Sequence, residues 1–280
     1  MRHRITQEVA RIMITQTPEQ LKARYRIYQV FRPGAPIEKS ALFMGRAKQL
    51  SAILGAIAQP GRHAVVYGER GVGKTSLANH MSEALQTIDS NALISGTINC
   101  DRTDDFSSLW HKIFRELTVV MQVQGVGMAG QRPDATYNLD SMLNEEVRPD
   151  DIRFTLTQIK QDTVIMLDEF DKLRGKTEVT SLMADTIKNL SDHTLNVTLV
   201  LIGVADNVDE LVAGHKSVER SIDQIPMPRM KDDELQQIIA RGVADLDMTI
   251  TAEASKWIVF LSRGLPHFTH LLARDAARQQ

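Results

Sequence analysis

One eight-residue stretch constrains this chain more than any other. Gly68-Glu69-Arg70-Gly71-Val72-Gly73-Lys74-Thr75 follows a short β-type run, His63 to Tyr67, and opens a helical pattern from Ser76 to Gln86. Strand, glycine-rich turn and helix in that register make a phosphate cradle. Gly68, Gly71 and Gly73 let the backbone curl so that successive N–H groups point inward at phosphate oxygens. Those groups come from Glu69, Arg70, Val72 and Ser76 as well as from the glycines. The start of the helix adds partial positive charge. Lys74 is placed to reach the outer phosphates, and the Thr75 hydroxyl is placed to ligate Mg²⁺.

A cradle of this kind needs a sheet behind it, and the pattern downstream supplies one. Ala92 to Cys100, Thr163 to Leu167 and Val197 to Val204 read as short buried strands. Phe106 to Val119 and Thr180 to Leu190 read as helices between them. Alternation of this kind predicts an α/β fold, a parallel sheet with helices on both faces. After Met230 the strand signals stop. Asp232 to Leu246, Thr251 to Ser262 and Pro266 to Gln280 each read as a helix, so a small all-helical lid is expected after the sheet. Three segments follow from this: residues 1–36 as a helical arm and linker, 37–230 as the α/β nucleotide-binding domain, and 231–280 as the lid. Residues 123–150, rich in Gly and polar residues, read as a long loop.

A second chemical signal sits at the end of a predicted strand. Thr163-Val-Ile-Met-Leu167 delivers Asp168-Glu169 at its C-terminal end, the edge at which open α/β sheets bind ligands. Asp168 is the candidate Mg²⁺ holder. Glu169, one residue on, is the candidate general base for an attacking water. A water-activating glutamate separates phosphoanhydride hydrolysis from phosphoryl transfer to a small acceptor. Asp171 reads as a cap or surface residue.

Composition narrows the class. The 280 residues carry 33 Lys+Arg against 35 Asp+Glu, a net charge of −2, which excludes a globally basic nucleic-acid binder. The charge is uneven, however: residues 1–32 hold seven basic against two acidic residues, a net of +5. A basic arm suits DNA or a partner subunit, whereas a charge run by default is a solvated helix face. On that arm Ile5, Val9, Ile12 and Met13 share one face, and Leu21, Tyr25 and Tyr28 another. The single cysteine, Cys100, allows no internal disulfide, and a reducing compartment is expected. No apolar run approaches the ~18 residues that span a bilayer, and the N-terminus lacks the apolar core of a signal peptide. A cytoplasmic protein without membrane contact is the expectation.

With both motifs and a helical tail, residues 40–280 resemble the AAA+ ATPases, most of all the origin-recognition and replication-initiator branch and the neighbouring STAND-type ATPases. Phe43-Met44-Gly45-Arg46 is similar to the segment that lies near the adenine in those proteins, and Ile98-Asn99-Cys100 to the end of their second strand. Asp206-Asn207, after Leu201-Ile-Gly-Val-Ala205, stand where the family carries the sensor-1 polar residue; either fits, although an aspartate would place negative charge near phosphate. Arg220 resembles the arginine finger that reaches into a neighbouring subunit, and Arg229 is a rival at nearly the same place. Gly264-Leu-Pro266-His267 departs from the sensor-2 arginine pattern and is similar to the G-x-P motif of STAND ATPases. The resemblance implies ATP/ADP with Mg²⁺, a homo-oligomer, and a DNA, nucleoprotein or protein partner whose complex is assembled or remodelled. Its alternative is a nucleotide-controlled signalling switch acting through a protein partner, with anti-phage defence as one setting. A third, weaker reading is a nucleotide-binding interaction module with little turnover. The absence of a guanine-reading N-K-x-D motif favours ATP.

Overall fold

The buried apolar runs lie side by side. In the computed structural model, which describes residues 17–33, 45–88, 93–121, 135–159, 161–193, 195–211 and 218–279, five strands form one parallel sheet. They are β1 (His63–Tyr67), β2 (Leu93–Asn99), β5 (Asp162–Asp168), β6 (Val197–Gly203) and β7 (Ile222–Pro226), in the order β2-β5-β6-β1-β7. β6 is buried along its whole length, and β5 everywhere but at Asp162. That is what a strand covered on both faces requires. Two further strands, β3 (Thr118–Met121) and β4 (Ala135–Asn138), pair antiparallel as a separate ribbon.

The expected loop at 123–150 is therefore partly structured. The ribbon brackets residues 122–134, which lie outside the described residues, and a helix from Pro149 to Leu156 closes the stretch. The predicted helix through Val119 stops at Glu116, because Thr118-Val-Val is a β-branched run. A His111–Asp140 contact of 2.6 Å and an Arg115–Asp140 ion pair of 3.0 Å fasten the far side of the ribbon to that helix.

The chain divides into two units, one spanning Arg46–Pro228 and the other the residues before and after it. In the first, the α2 helix (Ala47–Ile57) precedes β1, α3 (Lys74–Ile88) follows the glycine-rich turn, α4 is Phe106–Glu116, α5 Pro149–Leu156 and α6 Thr177–Asp192. α4 shows how sequence builds its core. Asp105 caps it by accepting from Ser108 N at 2.7 Å, and Phe106, Leu109, Trp110, Ile113 and Phe114 bury one face.

In the second unit α1 (Pro18–Val30) packs with α7 (Asp232–Asp245), α8 (Ala252–Ser262) and α9 (Pro266–Ala277). Thr17 and Gln20 form a capping box at the start of α1. The face of α1 that Leu21, Tyr25 and Tyr28 share is largely open. Ile27 is buried, and so is Phe31 just past the helix end, whereas Tyr25 is 65% exposed. Phe31, read in sequence as linker, fills a space over Gly242 on α7, where a Cβ would lie 2.4 Å from its ring. Arg26 pairs with Asp247, so part of the basic arm's charge is met within the unit, and the Arg274 and Arg278 guanidiniums lie over the Tyr28 ring. Arg2, Arg4 and Arg11 lie outside the described residues.

Candidate nucleotide site

The parallel register aligns the functional ends of the strands. β6 lies between β1 and β5, with Leu201 opposite Leu167 of β5 and Gly203 opposite Tyr67 of β1. The glycine-rich turn after β1, Asp206-Asn207 after β6, and Asp168-Glu169 at the end of β5 therefore emerge from neighbouring strands at one edge. Both Asp206 and Asn207 are exposed there.

The turn itself relies on glycine. Gly68, Gly71 and Gly73 have φ of 155°, 87° and 97°, which side chains rarely adopt. At Gly68 a Cβ would also sit 2.4 Å from the Met227 carbonyl, and Met227 N donates to Tyr67 O at 2.7 Å. Close backbone packing against the segment after β7 thus fixes where the turn begins. Arg46 holds it from another side: its buried guanidinium donates to Val72 O at 2.9 Å and to Pro228 O at 2.8 Å. Gly45, in the other unit, has φ of 78°, and a Cβ there would meet Glu234 of α7 at 2.5 Å. Phe43 and Met44 lie outside the described residues.

Lys74 opens α3. Its ammonium donates to the carbonyls of Gly68 and Glu69, both at 2.8 Å. It is 8% exposed; burial lowers its proton affinity below the ordinary lysine value, while Asp171 and Asp168 pull the other way. Thr75 is half-buried one residue on, Ser76 follows, and Glu69 and Arg70 are exposed on the rim.

Asp168 is 2% exposed. Its Oδ1 accepts from Glu169 N at 2.7 Å, and the Thr75 hydroxyl lies against the same carboxylate. Burial pushes its carboxyl above the usual carboxylate range despite these two donors. Oδ2 is buried and makes no hydrogen bond. A desolvated carboxylate oxygen beside a threonine hydroxyl is a hard oxygen donor set, which fits a divalent cation such as Mg²⁺. Glu169 adopts a left-handed backbone, φ 56° and ψ 32°, at the turn into a short 3₁₀ segment from Phe170 to Leu173. Its carboxylate is half exposed and pairs with Lys172.

Two more residues have a role here: Asp171, which reads in sequence as a cap or surface residue, and Arg62, to which nothing in the sequence points. Asp171 Oδ1 accepts from Val204 N at 2.8 Å and so ties the acid-pair turn to the end of β6. Arg62 donates to the Arg220 carbonyl and to Asp223, fastening the 3₁₀ turn that carries Arg220. Lys172 lay within view, three residues after Glu169, the spacing at which helical side chains meet.

Arg220 and Arg229, near-equivalent in sequence, stand at opposite ends of β7. β7 runs parallel to β1 with Ile222 opposite His63, so Arg220 lies by the start of the strand, roughly 16 Å from the glycine-rich turn. Its side chain is exposed and Ser217 before it lies outside the described residues. Arg229 follows the far end and donates to Arg263 O at 3.2 Å within the helical unit. In that unit Pro266 is buried at the first turn of α9, and His267 Nδ1 donates to the Pro33 carbonyl. Gly264, φ 79°, packs its Cα on Arg229, and Met230 N donates to Gly264 O at 2.8 Å.

Fold and site define a P-loop nucleotide-binding ATPase domain. The AAA domain family model matches residues 58–212, more than half of the chain, and the chain belongs to that family. Among solved structures it is similar to the Aeropyrum pernix Orc1 protein in complex with DNA, with 16% identity, TM-score 0.59, and coverage of 91% of this chain and 63% of that one. It is also similar to a Walker-type ATPase of Pyrococcus abyssi, with 13% identity, TM-score 0.58, and coverage of 88% and 71%. Domain III of the Thermotoga maritima replication initiation protein DnaA matches with 15% identity, TM-score 0.50, and coverage of 80% and 81%. At these identities the likeness is one of fold. The chain spans a little under two thirds of the length of the Orc1 chain. A search of curated proteins finds no significant match. No helix among the described residues is long and apolar enough to cross a membrane.

Proposed function

We propose that this chain hydrolyses ATP in a Mg²⁺-dependent manner and couples the cycle to assembly or remodelling of a nucleoprotein or protein complex. The observation that carries the reading is the buried, unpartnered Oδ2 of Asp168 beside Thr75 and near Lys74. Nothing in packing rewards a desolvated carboxylate there. A nucleotide phosphate with its cation does.

In this reading the backbone N–H groups of the turn and the Lys74 ammonium bind the phosphates, the ammonium exchanging the Gly68 and Glu69 carbonyls for phosphate oxygens. Asp168 and Thr75 would hold Mg²⁺, which when bound offsets charge on the phosphates. Glu169 accepts a proton from the attacking water. Asp206 or Asn207, emerging between the turn and the acid pair, orients that water. Arg220 is too far from its own phosphate turn to touch it and acts on the site of a neighbouring copy, making the enzyme a homo-oligomer. DNA or a nucleoprotein is the proposed partner, through the basic N-terminal arm, and the compartment is the cytoplasm.

Glu169→Gln should keep ATP binding and lose hydrolysis; full turnover in that variant would refute the base assignment. Arg220→Ala mixed with Lys74→Ala should recover activity that neither has alone, and no recovery would remove the trans role. Stimulation of turnover by DNA at low salt supports the nucleoprotein partner, and its absence with single-stranded, duplex and forked DNA would refute it. A second reading, a switch that retains ADP, is favoured by one observation: His267 stands where an arginine would contact nucleotide, and its ring is engaged with Pro33. Purification as a monomer with bound ADP would select it.

A further inference from the structure

We infer that Arg62 is a positioning residue for Arg220: it fixes the backbone of the turn from which Arg220 reaches the site of a neighbouring copy. The inference rests on the reading of Arg220 as acting in trans. The register of the sheet sets the two side by side. His63 of β1 lies opposite Ile222 of β7, so Arg62 and Ser221 enter adjacent strands together. One guanidinium nitrogen of Arg62 donates to the Arg220 carbonyl, and the other pairs with the Asp223 carboxylate. A planar fork that holds two acceptors fixes orientation as well as distance. It grips the backbone of Arg220 and leaves the Arg220 side chain exposed.

The fork has a fixed base. Arg62 N donates to Gln59 O at 3.1 Å, closing the turn between α2 and β1. Gly61 in that turn has φ 75° and packs so closely on the end of α6 that a Cβ would lie 3.1 Å from the Ser191 carbonyl. What the fork holds is less well tied. The 3₁₀ turn Glu219–Ser221 is three residues long and has Ser221 N donating to Val218 O at 2.9 Å. So short a turn has little hydrogen bonding of its own, and Arg62 adds the tie that its length cannot supply. Arg62 and Asp223 are 32% and 30% exposed at their side chains, so the pair is partly desolvated and firmer than a surface pair. A charge stabilises a transition state only if it is already in place when that state forms, and a misplacement of about 1 Å costs on the order of a hundredfold. The whole length of β1 separates Arg62 from the phosphate turn of its own chain. Loosening the fork should therefore slow turnover at the neighbour's site and leave nucleotide binding at its own site intact.

The test is complementation between variants of the full chain, read as Mg²⁺-ATP turnover, with calorimetric titration of ATP alongside. Arg62→Met should lower kcat about ten- to hundredfold and leave ATP affinity within about twofold of the parent. Arg62→Lys, which keeps the charge without the fork, should recover part of the loss. Mixed with Lys74→Ala, Arg62→Met should regain activity that neither has alone, because its intact phosphate turn then meets a well-placed Arg220. Mixed with Arg220→Ala it should regain nothing, because neither chain then offers that arginine to its neighbour. Any other pattern from a folded variant would overturn the inference. Recovery with Arg220→Ala, above all, would mean that Arg62 serves its own site. If Arg62→Met melts well below the parent, Asp223→Ala loosens the same fork from its other end and should give the same pattern of recovery; the opposite pattern would be equally fatal. Arg220→Ala alone separates the two claims. If it turns over like the parent, the trans reading fails; if it is inactive while Arg62→Met matches the parent, only the positioning role fails.

Discussion

Phe31 and Gly242 offer a test of how the N-terminal arm is built into the molecule. Phe31 is 1% exposed, packs edge-on to His270 with ring centroids 6.0 Å apart, and occupies the space a Cβ on Gly242 would take. Phe31→Ala removes the ring and should cost about 3–5 kcal/mol in the helical unit. Gly242→Ala alone sets two opposed effects against each other. Alanine favours a helix interior by about 1 kcal/mol over glycine, but a Cβ at 2.4 Å from two ring atoms forces Phe31 out of place, at about 1–3 kcal/mol. The single variant should therefore be neutral or destabilised. In the Phe31→Ala background the collision is gone and only the helix gain remains, so the same change should stabilise by about 1 kcal/mol. The two substitutions should couple by about 1–3 kcal/mol, far beyond the additivity of independent sites. Hydrogen exchange of peptides covering residues 232–245 and 266–277 reads the local stability of this unit. Additive effects within about 0.5 kcal/mol would show that Phe31 does not sit on α7 in solution, and that the arm is a free appendage.

Two other perturbations probe the sheet and the turn. His63 and His270 are buried and desolvated, which lowers both to about 4 from the ordinary 6.5. The unfolded chain binds these protons more readily, so the stability they permit is complete above pH 6.5 and lost as pH falls toward 4, by up to about 3 kcal/mol for each. Urea midpoints between pH 7.5 and 4.5 should drop accordingly, and the drop should shrink in His270→Phe; a flat profile would refute the burial argument. Arg46→Met should leave the Val72 and Pro228 carbonyls without their shared donor, weakening ATP binding at least tenfold and stability by about 2–4 kcal/mol. Calorimetric titration with ATP and a thermal melt decide it, and parent-like binding would show that the turn holds its shape unaided.

The phosphate turn and the acid pair were readable because each depends on local chemistry. β1 was expected at His63–Tyr67 and is found there, since a five-residue apolar run closed by glycine leaves little choice. β7 was missed: Asp223 and Gln224 interrupt its apolar pattern and Pro226 ends it, which an edge strand tolerates because only one side must pair. β3 and β4, four residues each, are too short for periodicity to register. The buried face of α1 was not legible, because Phe31 lies past the helix end and its partner is a glycine 211 positions away, recognisable only by a missing atom. Arg220 and Arg229 seemed interchangeable because sequence distance says nothing about which end of a strand a residue reaches; the parallel pairing of β7 with β1 decides it.

Several costly features meet at the acid pair and the phosphate turn, although Asp247 and Arg263 also hold left-handed backbones. Asp168 keeps a buried oxygen unpartnered, Glu169 holds a left-handed backbone that costs on the order of 1–3 kcal/mol, and the phosphate turn needs glycine at positions no other residue fills without strain. A module that only held nucleotide would need the turn and a charge for the cation. It would not need a second carboxylate placed one residue further by a strained turn, half exposed and facing solvent. Relaxing that turn, for example with Glu169→Gly, should stabilise the protein while removing any hydrolysis, because the strain would be relieved and the proposed base lost together. If the same variant were less stable, the left-handed turn would be serving the fold, and the argument from strain to catalysis would fail at its first step.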